Sequence, residues 1–344
     1  MYFDVLMPTV LFAVTVAAMF LAGKAERRLK ATVEEREFRN RDVAMLGVMV
    51  AAAVSVVVFV PNLIITAVFL FSYCSLLFTV SFAFSGMRRR RLTVFCGTLV
   101  VASVLAGAAG FLGVLSGDLR VFGTLAFAGL AFCSFITLLY ARGDAEGKSK
   151  WYVAALSPVL FLLLFFFFNG TGLWFPFLLD VFGIVFALLI VVYLGTLFTW
   201  KTVFIFAAFI TSLDIVLVWL TGTMVQAANA VSGLGLPVLV AFPTFPFITS
   251  ANGILIMRLG LGDFFFAGIL GVQTLKKFGW KTAVVSVLTT CISFALFELV
   301  LLNESLSALL PVRALPATLP ILVGWLPVVA ARMLSARKRD KPTP

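Results

Sequence analysis

The sequence predicts an all-α fold, a polytopic bundle of transmembrane helices. Of its 344 residues, 62% are hydrophobic and only 12% are charged, whereas a soluble domain carries roughly 25% charged residues. The apolar residues form runs long enough to cross a bilayer as helices, and short polar segments separate these runs. A transmembrane barrel would show short segments of alternating polarity, and none appears in the sequence.

Hydropathy predicts about eleven spans. They lie near residues 5–23, 43–60, 62–86, 93–116, 121–141, 151–169, 174–199, 202–220, 251–271, 282–302 and 314–332. Pro61 divides an apolar run that is too long for one ordinary span. We expect a solvated amphipathic helix over 24–42 and a disordered basic tail from Arg332 onwards. The lipid bilayer is therefore an expected partner of the chain.

The residue types that are missing exclude several kinds of chemistry. Histidine is absent, which removes His-containing zinc sites and Ser-His dyads. No phosphate-binding loop and no dinucleotide fingerprint is present, and the four cysteines lie in apolar runs as small core residues. We therefore expect no metal and no cofactor. The net charge of +11 comes from short loops between spans, which membrane topology explains, so we expect no nucleic acid partner.

Two consecutive predicted spans each carry an aspartate within the bilayer. Asp214 lies in the span near 202–220, and Asp263 lies in the next span, directly after Gly260-Leu261-Gly262. A carboxylate at this depth costs several kcal/mol unless it faces a polar cavity or a partner. The two spans are antiparallel, and each aspartate lies near the middle of its span. We therefore expect the two carboxylates to face each other at the same depth.

Such a pair predicts hydrolysis by an activated water. Two carboxylates a few ångström apart cannot both ionise, so they share one proton. The ionised member acts as a base on water and the protonated member as an acid on the substrate carbonyl. The pair titrates as a unit, so the sequence leaves the two roles open. Gly260 and Gly262 lack a Cβ atom and let a substrate backbone approach, and an opened substrate helix can pair along a strand edge.

The aspartate pair, with the second member in Gly-x-Gly-Asp, resembles the active site of the presenilin and signal peptide peptidase family, the GxGD intramembrane aspartyl proteases. A Leu-Pro-x-x-x-x-x-Pro element from Leu236 and the Pro-Ala-Thr-Leu-Pro element over 316–320 extend the resemblance. The second element is similar to a Pro-Ala-Leu motif that packs beside the dyad in the family. The resemblance implies a site formed by Asp214, Asp263, Gly260, Leu261, Gly262, Pro316, Ala317, Leu319 and Pro320. We assign Thr318, which interrupts the motif, no chemistry.

The resemblance also implies two regions, with N-terminal transmembrane helices over 1–173 and a catalytic transmembrane region over 174–344. The family core has nine helices, so two predicted spans would be additional. The implied protein is a prokaryotic, archaeal-type homologue that cleaves transmembrane peptides such as signal-peptide remnants and type II anchors. The positions of the basic residues predict an N-terminus outside the cell membrane and a cytoplasmic C-terminus. Oligomeric state is left open.

An alternative is a proton-coupled secondary transporter that uses the intramembrane charges Asp180, Asp214, Arg258 and Asp263. Many such transporters contain internal repeats, and no convincing repeat relates the halves of this chain. An inactive scaffold is disfavoured because both aspartates are intact. For Asp180 and Glu298 we expect interhelical hydrogen bonds or places in a cavity wall.

Overall fold

A computed structural model describes residues 2–32, 38–57, 59–85, 89–112, 117–143, 151–250, 253–303 and 316–339. It confirms the predicted all-α, polytopic class. Ten helices in these ranges are long and apolar enough to cross a membrane, as expected of a multi-pass integral membrane protein. Pro61 separates two of them, as predicted.

The helices, in chain order, are α1 (Leu6–Thr32), α2 (Asn40–Val57), α3 (Asn62–Phe84), α4 (Arg89–Phe111), α5 (Asp118–Gly143), α6 (Trp151–Ala154), α7 (Leu156–Phe168), α8 (Leu179–Leu194), α9 (Trp200–Ile215), α10 (Thr223–Ser232), α11 (Leu261–Phe278), α12 (Trp280–Leu302) and α13 (Thr318–Arg339). Wider π-helical turns at Trp174–Leu178 and Val216–Leu220 precede α8 and follow α9. Four short strands lie between α10 and α11: β1 (Leu239–Pro243), β2 (Thr249–Ser250), β3 (Gly253–Ile254) and β4 (Ile256–Gly260).

The chain divides into two compact units. One comprises Met1–Ile65 with Asp180–Pro344, and the other comprises Thr66–Leu179. Within the smaller unit, α4 packs along α5, and the rings of Tyr73 and Phe161 meet at a centroid distance of 4.3 Å. The larger unit contains the four strands and both aspartates. The predicted division between residues 173 and 174 concerns function and stays a prediction.

Helix α11 is the centre of the larger unit. Every residue from Phe266 to Thr274 is buried, as is typical of a helix that is apolar all round. Helices α1, α9, α12 and α13 pack on it. Gly271 lies against Thr15 of α1 and Val287 of α12 so closely that these side chains would have to shift for any larger residue. The helix that carries Asp263 is therefore held by four other helices.

A cluster around Trp325 joins the three helices α9, α11 and α13. Its indole N–H donates a hydrogen bond to Oγ1 of Thr274 on α11 at 2.8 Å. Its ring packs against Trp200 and Phe204 of α9, with centroids 6.1 and 5.1 Å away. These contacts fix the relative positions of the helices that carry the predicted site.

The predicted span near 251–271 is wrong in its first half. Residues Ile256–Gly260 form β4, and the helix begins only at Leu261. A short apolar run fits a buried strand as well as a helix, and here pairing with another strand determines that a strand forms. Strand β4 pairs antiparallel with β1 from Leu239↔Gly260 to Pro243↔Ile256. The Leu-Pro element before the second aspartate thus leads into the partner strand of β4.

Two further expectations about polar segments change. The tail does not become irregular at Arg332, because α13 continues to Arg339 and Nε of Arg332 donates to Oγ1 of Thr282 at 3.1 Å. Residues 24–32 form the end of α1 rather than a separate helix, and Glu26 pairs there with Lys276 at 3.1 Å. Residues 33–37 of the predicted amphipathic helix lie outside the described residues.

Candidate active site

Both aspartates lie where a regular α-helix is interrupted. Helix α9 ends directly after Asp214 and passes into the π-helical turn, in which the N–H of Thr221 donates to the carbonyl of Val216 at 3.0 Å. Helix α11 begins at Leu261, so Asp263 lies in its first turn. Irregular backbone at membrane depth is tolerated where protein or a water-filled cavity satisfies it, and π-turns are frequent at functional sites.

The two carboxylates lie at the same height in the bundle. The rings of Trp200, at the start of α9, and Phe278, at the end of α11, are in contact with centroids 5.2 Å apart. From this common level Asp214 lies about 21 Å along α9 and Asp263 about 22 Å along α11, at 1.5 Å per residue. The negative charge of Asp214 acts on the carboxyl group of Asp263. The structure thus brings the two predicted residues together.

Asp263 is held by the start of its own helix. It occupies the third helical position, and its carboxylate accepts a hydrogen bond from the backbone N–H of Gly260, the residue before the helix. This is the carboxylate half of a capping box. A Cβ atom at Gly260 would lie 3.1 Å from Oδ2 of Asp263, whereas one at Gly262 would meet no atom of the described residues within 4 Å. Open space therefore lies beside Asp263 on the side of Gly262.

Asp214 is held by α13. The hydroxyl of buried Thr318 donates to Oδ2 of Asp214 at 2.6 Å, and the backbone N–H of Thr318 interacts with the same carboxylate. Thr318 is the first residue of α13, where backbone N–H groups have no partner within the helix. The sequence assigns Thr318 no chemistry, and the structure places its hydroxyl on the carboxylate of Asp214. The contact joins residues 104 positions apart, and no local pattern reveals it.

The Pro-Ala-Thr-Leu-Pro element forms the start of α13. Pro316 and Pro320 are buried, Ala317 and Leu319 are half-buried, and the N–H of Leu319 donates to the carbonyl of Pro316 at 3.2 Å. A proline in the first helical turn loses no hydrogen bond and fixes the backbone. The element thus gives a rigid start to the helix and directs Thr318 at Asp214.

Strand β4 leads directly into the site. The N–H of Leu261 donates to the carbonyl of Val238 at 3.1 Å, and that of Thr244 donates to the carbonyl of Leu255 at 3.0 Å. These bonds set the register between the two strands. Because alternate residues of an antiparallel strand direct their backbone groups to opposite sides, Met257 and Leu259 face β1.

The other three residues of β4, Ile256, Arg258 and Gly260, direct their backbone groups away from β1. Within the described ranges this sheet has two strands, so that edge of β4 has no strand beside it there. The side chains of Ile256 and Arg258 are exposed. The edge ends at the N–H of Gly260, which binds Asp263. Arg258, predicted inside a span, thus lies on a strand edge close to the site.

The remaining intramembrane acids contact other groups. Buried Asp180 accepts a hydrogen bond from the N–H of Ala241 at 2.8 Å, a helix-to-strand contact rather than the expected interhelical one. Glu298 is buried and close enough to Asp4 to interact electrostatically, and its Oε2 has no hydrogen-bond partner in the described part of the chain. Among the described residues, no three His, Cys, Asp or Glu side chains are grouped to hold a metal ion.

No protein-family model matches the chain, and no curated protein matches it. The interpretation of the site therefore depends on its own geometry and chemistry.

Proposed function

We propose that the protein is an intramembrane aspartic endopeptidase, which hydrolyses peptide bonds of transmembrane segments with a water activated between Asp214 and Asp263. One observation carries the proposal. Two carboxylates on antiparallel helices lie at the same height, where both helices are interrupted, and one acts electrostatically on the other.

The chemistry follows from the pair sharing one proton. The ionised carboxylate removes a proton from a water molecule, whose oxygen attacks the scissile carbonyl carbon. The protonated carboxyl group gives a hydrogen bond, and then its proton, to the carbonyl oxygen as the tetrahedral intermediate forms. As the intermediate collapses, the C–N bond breaks, the leaving nitrogen receives a proton from the dyad, and a hydroxyl of the intermediate returns its proton to the dyad. Water is the only other reactant, so the dyad needs no cofactor.

Strand β4 offers a way to hold the substrate. A transmembrane helix satisfies its peptide groups internally, so the substrate must open into an extended form before it is cleaved. The free edge at Ile256 and Arg258 supplies backbone donors and acceptors for an added strand. A strand added there passes Gly260, whose N–H binds the Asp263 carboxylate. The open space at Gly262 leaves room for the substrate backbone beside that carboxylate.

The proposed substrates are transmembrane peptides, with signal-peptide remnants and type II anchors as the classes that the resemblance implies. The proposed site of action is a prokaryotic cell membrane. Since the apolar helices are long enough to cross a bilayer, substrates reach the site from within the membrane.

The test is cleavage of a fluorescent transmembrane peptide by the purified protein in detergent. The wild type is compared with Asp214→Asn and Asp263→Asn, which keep the size of the side chain and remove the shared proton. We expect cleavage by the wild type and none above background by either variant. A transition-state mimic with a hydroxyl at the scissile position should inhibit, because it replaces the water between the carboxylates. Substantial turnover by either variant would overturn the proposal.

A further inference from the structure

The two aspartates of the pair have different surroundings. Asp214 accepts the hydroxyl of Thr318 at 2.6 Å and also interacts with the backbone N–H of that residue. Among the described residues, Asp263 accepts one backbone N–H, from Gly260. Hydrogen bonds donated to a carboxylate stabilise its ionised form. The difference in donors therefore favours the negative charge on Asp214.

Both donors to Asp214 come from the start of α13. Thr318 is the first residue of that helix, so the positive end of the helix dipole faces Asp214. Asp263 lies in the first turn of α11, so each carboxylate lies at one helix N-terminus, and the hydroxyl and N–H of Thr318 are what distinguish the two. Thr318 is buried, and a hydrogen bond to a charge is stronger where water is excluded.

Other charges near these elements do not remove the asymmetry. The charged residues on the elements that pack against α9 and α11 are Lys24, Glu26, Arg27, Arg28 and Lys30 on α1, Arg41 and Asp42 on α2, Asp180 on α8, Arg258 on β4, Lys276 and Lys277 on α11, Lys281 and Glu298 on α12, and the basic residues from Arg332 onwards on α13. Helix α9 itself carries Lys201 in its first turn. The lysines of α9 and α11 lie at the ends of their helices that are far from the dyad. The carboxylate of Asp180 is bound to Ala241. Within the pair, the charge of Asp214 acts on Asp263, whereas Thr318 supplies the groups that interact with Asp214.

We propose that Thr318 is a positioning residue, which keeps Asp214 as the ionised member of the pair, so that Asp214 is the base for the water and Asp263 carries the proton. This assignment rests on the proposed function. It gives a role to the residue that interrupts the Pro-Ala-Leu-like element, and it resolves the two roles that the sequence leaves open. The methyl group of Thr318 packs in the bundle, and its hydroxyl makes the functional contact.

The test compares Thr318→Val with Thr318→Ser in the peptide-cleavage assay, over a range of pH. Valine keeps the shape and removes the donor, whereas serine keeps the donor and removes the methyl group. Thr318→Val removes a hydrogen bond to a charged group, and this loss corresponds to a fall in kcat of about 10- to 100-fold. The acidic limb of the kcat–pH profile should move to higher pH by about one to two units, because a more alkaline solution is needed to ionise Asp214. KM should change little, and Thr318→Ser should restore both kcat and the pH profile.

Binding of an uncleavable transmembrane peptide shows that each variant is folded. A folded Thr318→Val protein with the wild-type pH profile would overturn the assignment, even while the wild type cleaves peptide. Equal losses in Thr318→Ser and Thr318→Val would also overturn it, since packing of the methyl group would then explain both. Failure of the wild type to cleave any peptide is a separate result and contradicts the proposed function itself.

Discussion

Oδ1 of Asp180 accepts a hydrogen bond from the backbone N–H of Ala241 at 2.8 Å, in a buried contact between α8 and β1. Ala241 directs this N–H to the side of β1 that does not face β4, since alternate residues of the strand face opposite sides. The carboxylate therefore occupies one edge of the two-stranded sheet. Among the described residues, the edge with no strand beside it belongs to β4, the strand that leads to Asp263.

The first prediction concerns this anchor. Asp180→Ala leaves the N–H of Ala241 buried without its acceptor, which should lower the free energy of unfolding by about 1–3 kcal/mol. Peptide cleavage should fall with it, because β1 holds β4 in place. Asp180→Asn keeps an acceptor oxygen and should stay close to the wild type in both measurements. Thermal unfolding in detergent and the cleavage assay check this, and an inactive but fully stable Asp180→Asn would instead indicate a role for the charge.

The second prediction tests the free edge of β4. Ile256→Pro removes an N–H that faces away from β1, and proline is tolerated on a strand edge where its missing N–H would not pair within the sheet. Cleavage should therefore fall, chiefly through a higher KM, while thermal stability stays near that of the wild type. Met257→Pro is the matched control: its N–H faces β1, so it should lower the unfolding temperature. Normal KM in a folded Ile256→Pro protein would mean that substrates do not pair along this edge.

The third prediction separates two glycines on α11. In the part of the chain that the structure describes, a Cβ atom at Gly262 meets no atom within 4 Å, whereas one at Gly268 collides with Val191 of α8. Gly262→Val should thus reduce cleavage severely, because it fills the space beside Asp263, with little change in thermal stability. Gly268→Val should lower stability first, as overpacking a buried helix contact typically costs about 1–3 kcal/mol. Wild-type activity in Gly262→Val would contradict the proposed position of the substrate beside Asp263.

Much of this arrangement is predictable because hydropathy and rare residues are local signals. Long apolar runs predict the helices, and a carboxylate within such a run is conspicuous whatever the fold. The strand at Ile256–Gly260 is harder to predict from the sequence, since an apolar run of this length has no period that distinguishes strand from helix. Its pairing partner β1 lies across a connection that contains β2 and β3. Pairing between distant segments, rather than local propensity, decides the structure there.

The contact of Thr318 with Asp214 shows the same limit at the site. A motif comparison favours the residues that match, and Thr318 is the one that departs from the Pro-Ala-Leu-like pattern. Its role follows from where α13 begins and from the Trp325 cluster that packs α13 on α9 and α11. Both are properties of tertiary packing, so sequence alone left the two aspartates chemically equivalent.

The last prediction is the orientation in the membrane. The start of α9 and the end of α11 lie together through Trp200 and Phe278, and Arg332 reaches the start of α12 at Thr282. One end of the larger unit therefore collects basic residues of several helices: Lys201, Lys276, Lys277, Lys281 and Arg332. Lys and Arg are enriched on the cytoplasmic side of membrane proteins, so we expect this end inside. Strand β4 precedes the opposite end of α11, and helix α10 comes after the opposite end of α9. We therefore expect β4 and α10 on the outer side.

Labelling of single cysteines with an impermeant reagent measures this orientation in intact cells. In a background in which Cys74, Cys96, Cys133 and Cys291 are replaced, Gln226→Cys, at an exposed position of α10, should label from outside. Lys338→Cys, close to the end of α13, should label only after the membrane is opened. In this orientation Asp214 lies on a helix that runs outwards, and the site should accept substrate helices with a cytoplasmic N-terminus, as in signal-peptide remnants and type II anchors. The opposite labelling pattern would mean that the site accepts substrate helices of the reverse orientation. The chemistry of Asp214 and Asp263 would be unchanged, because it depends on the contacts of the pair and not on which side of the membrane α13 ends.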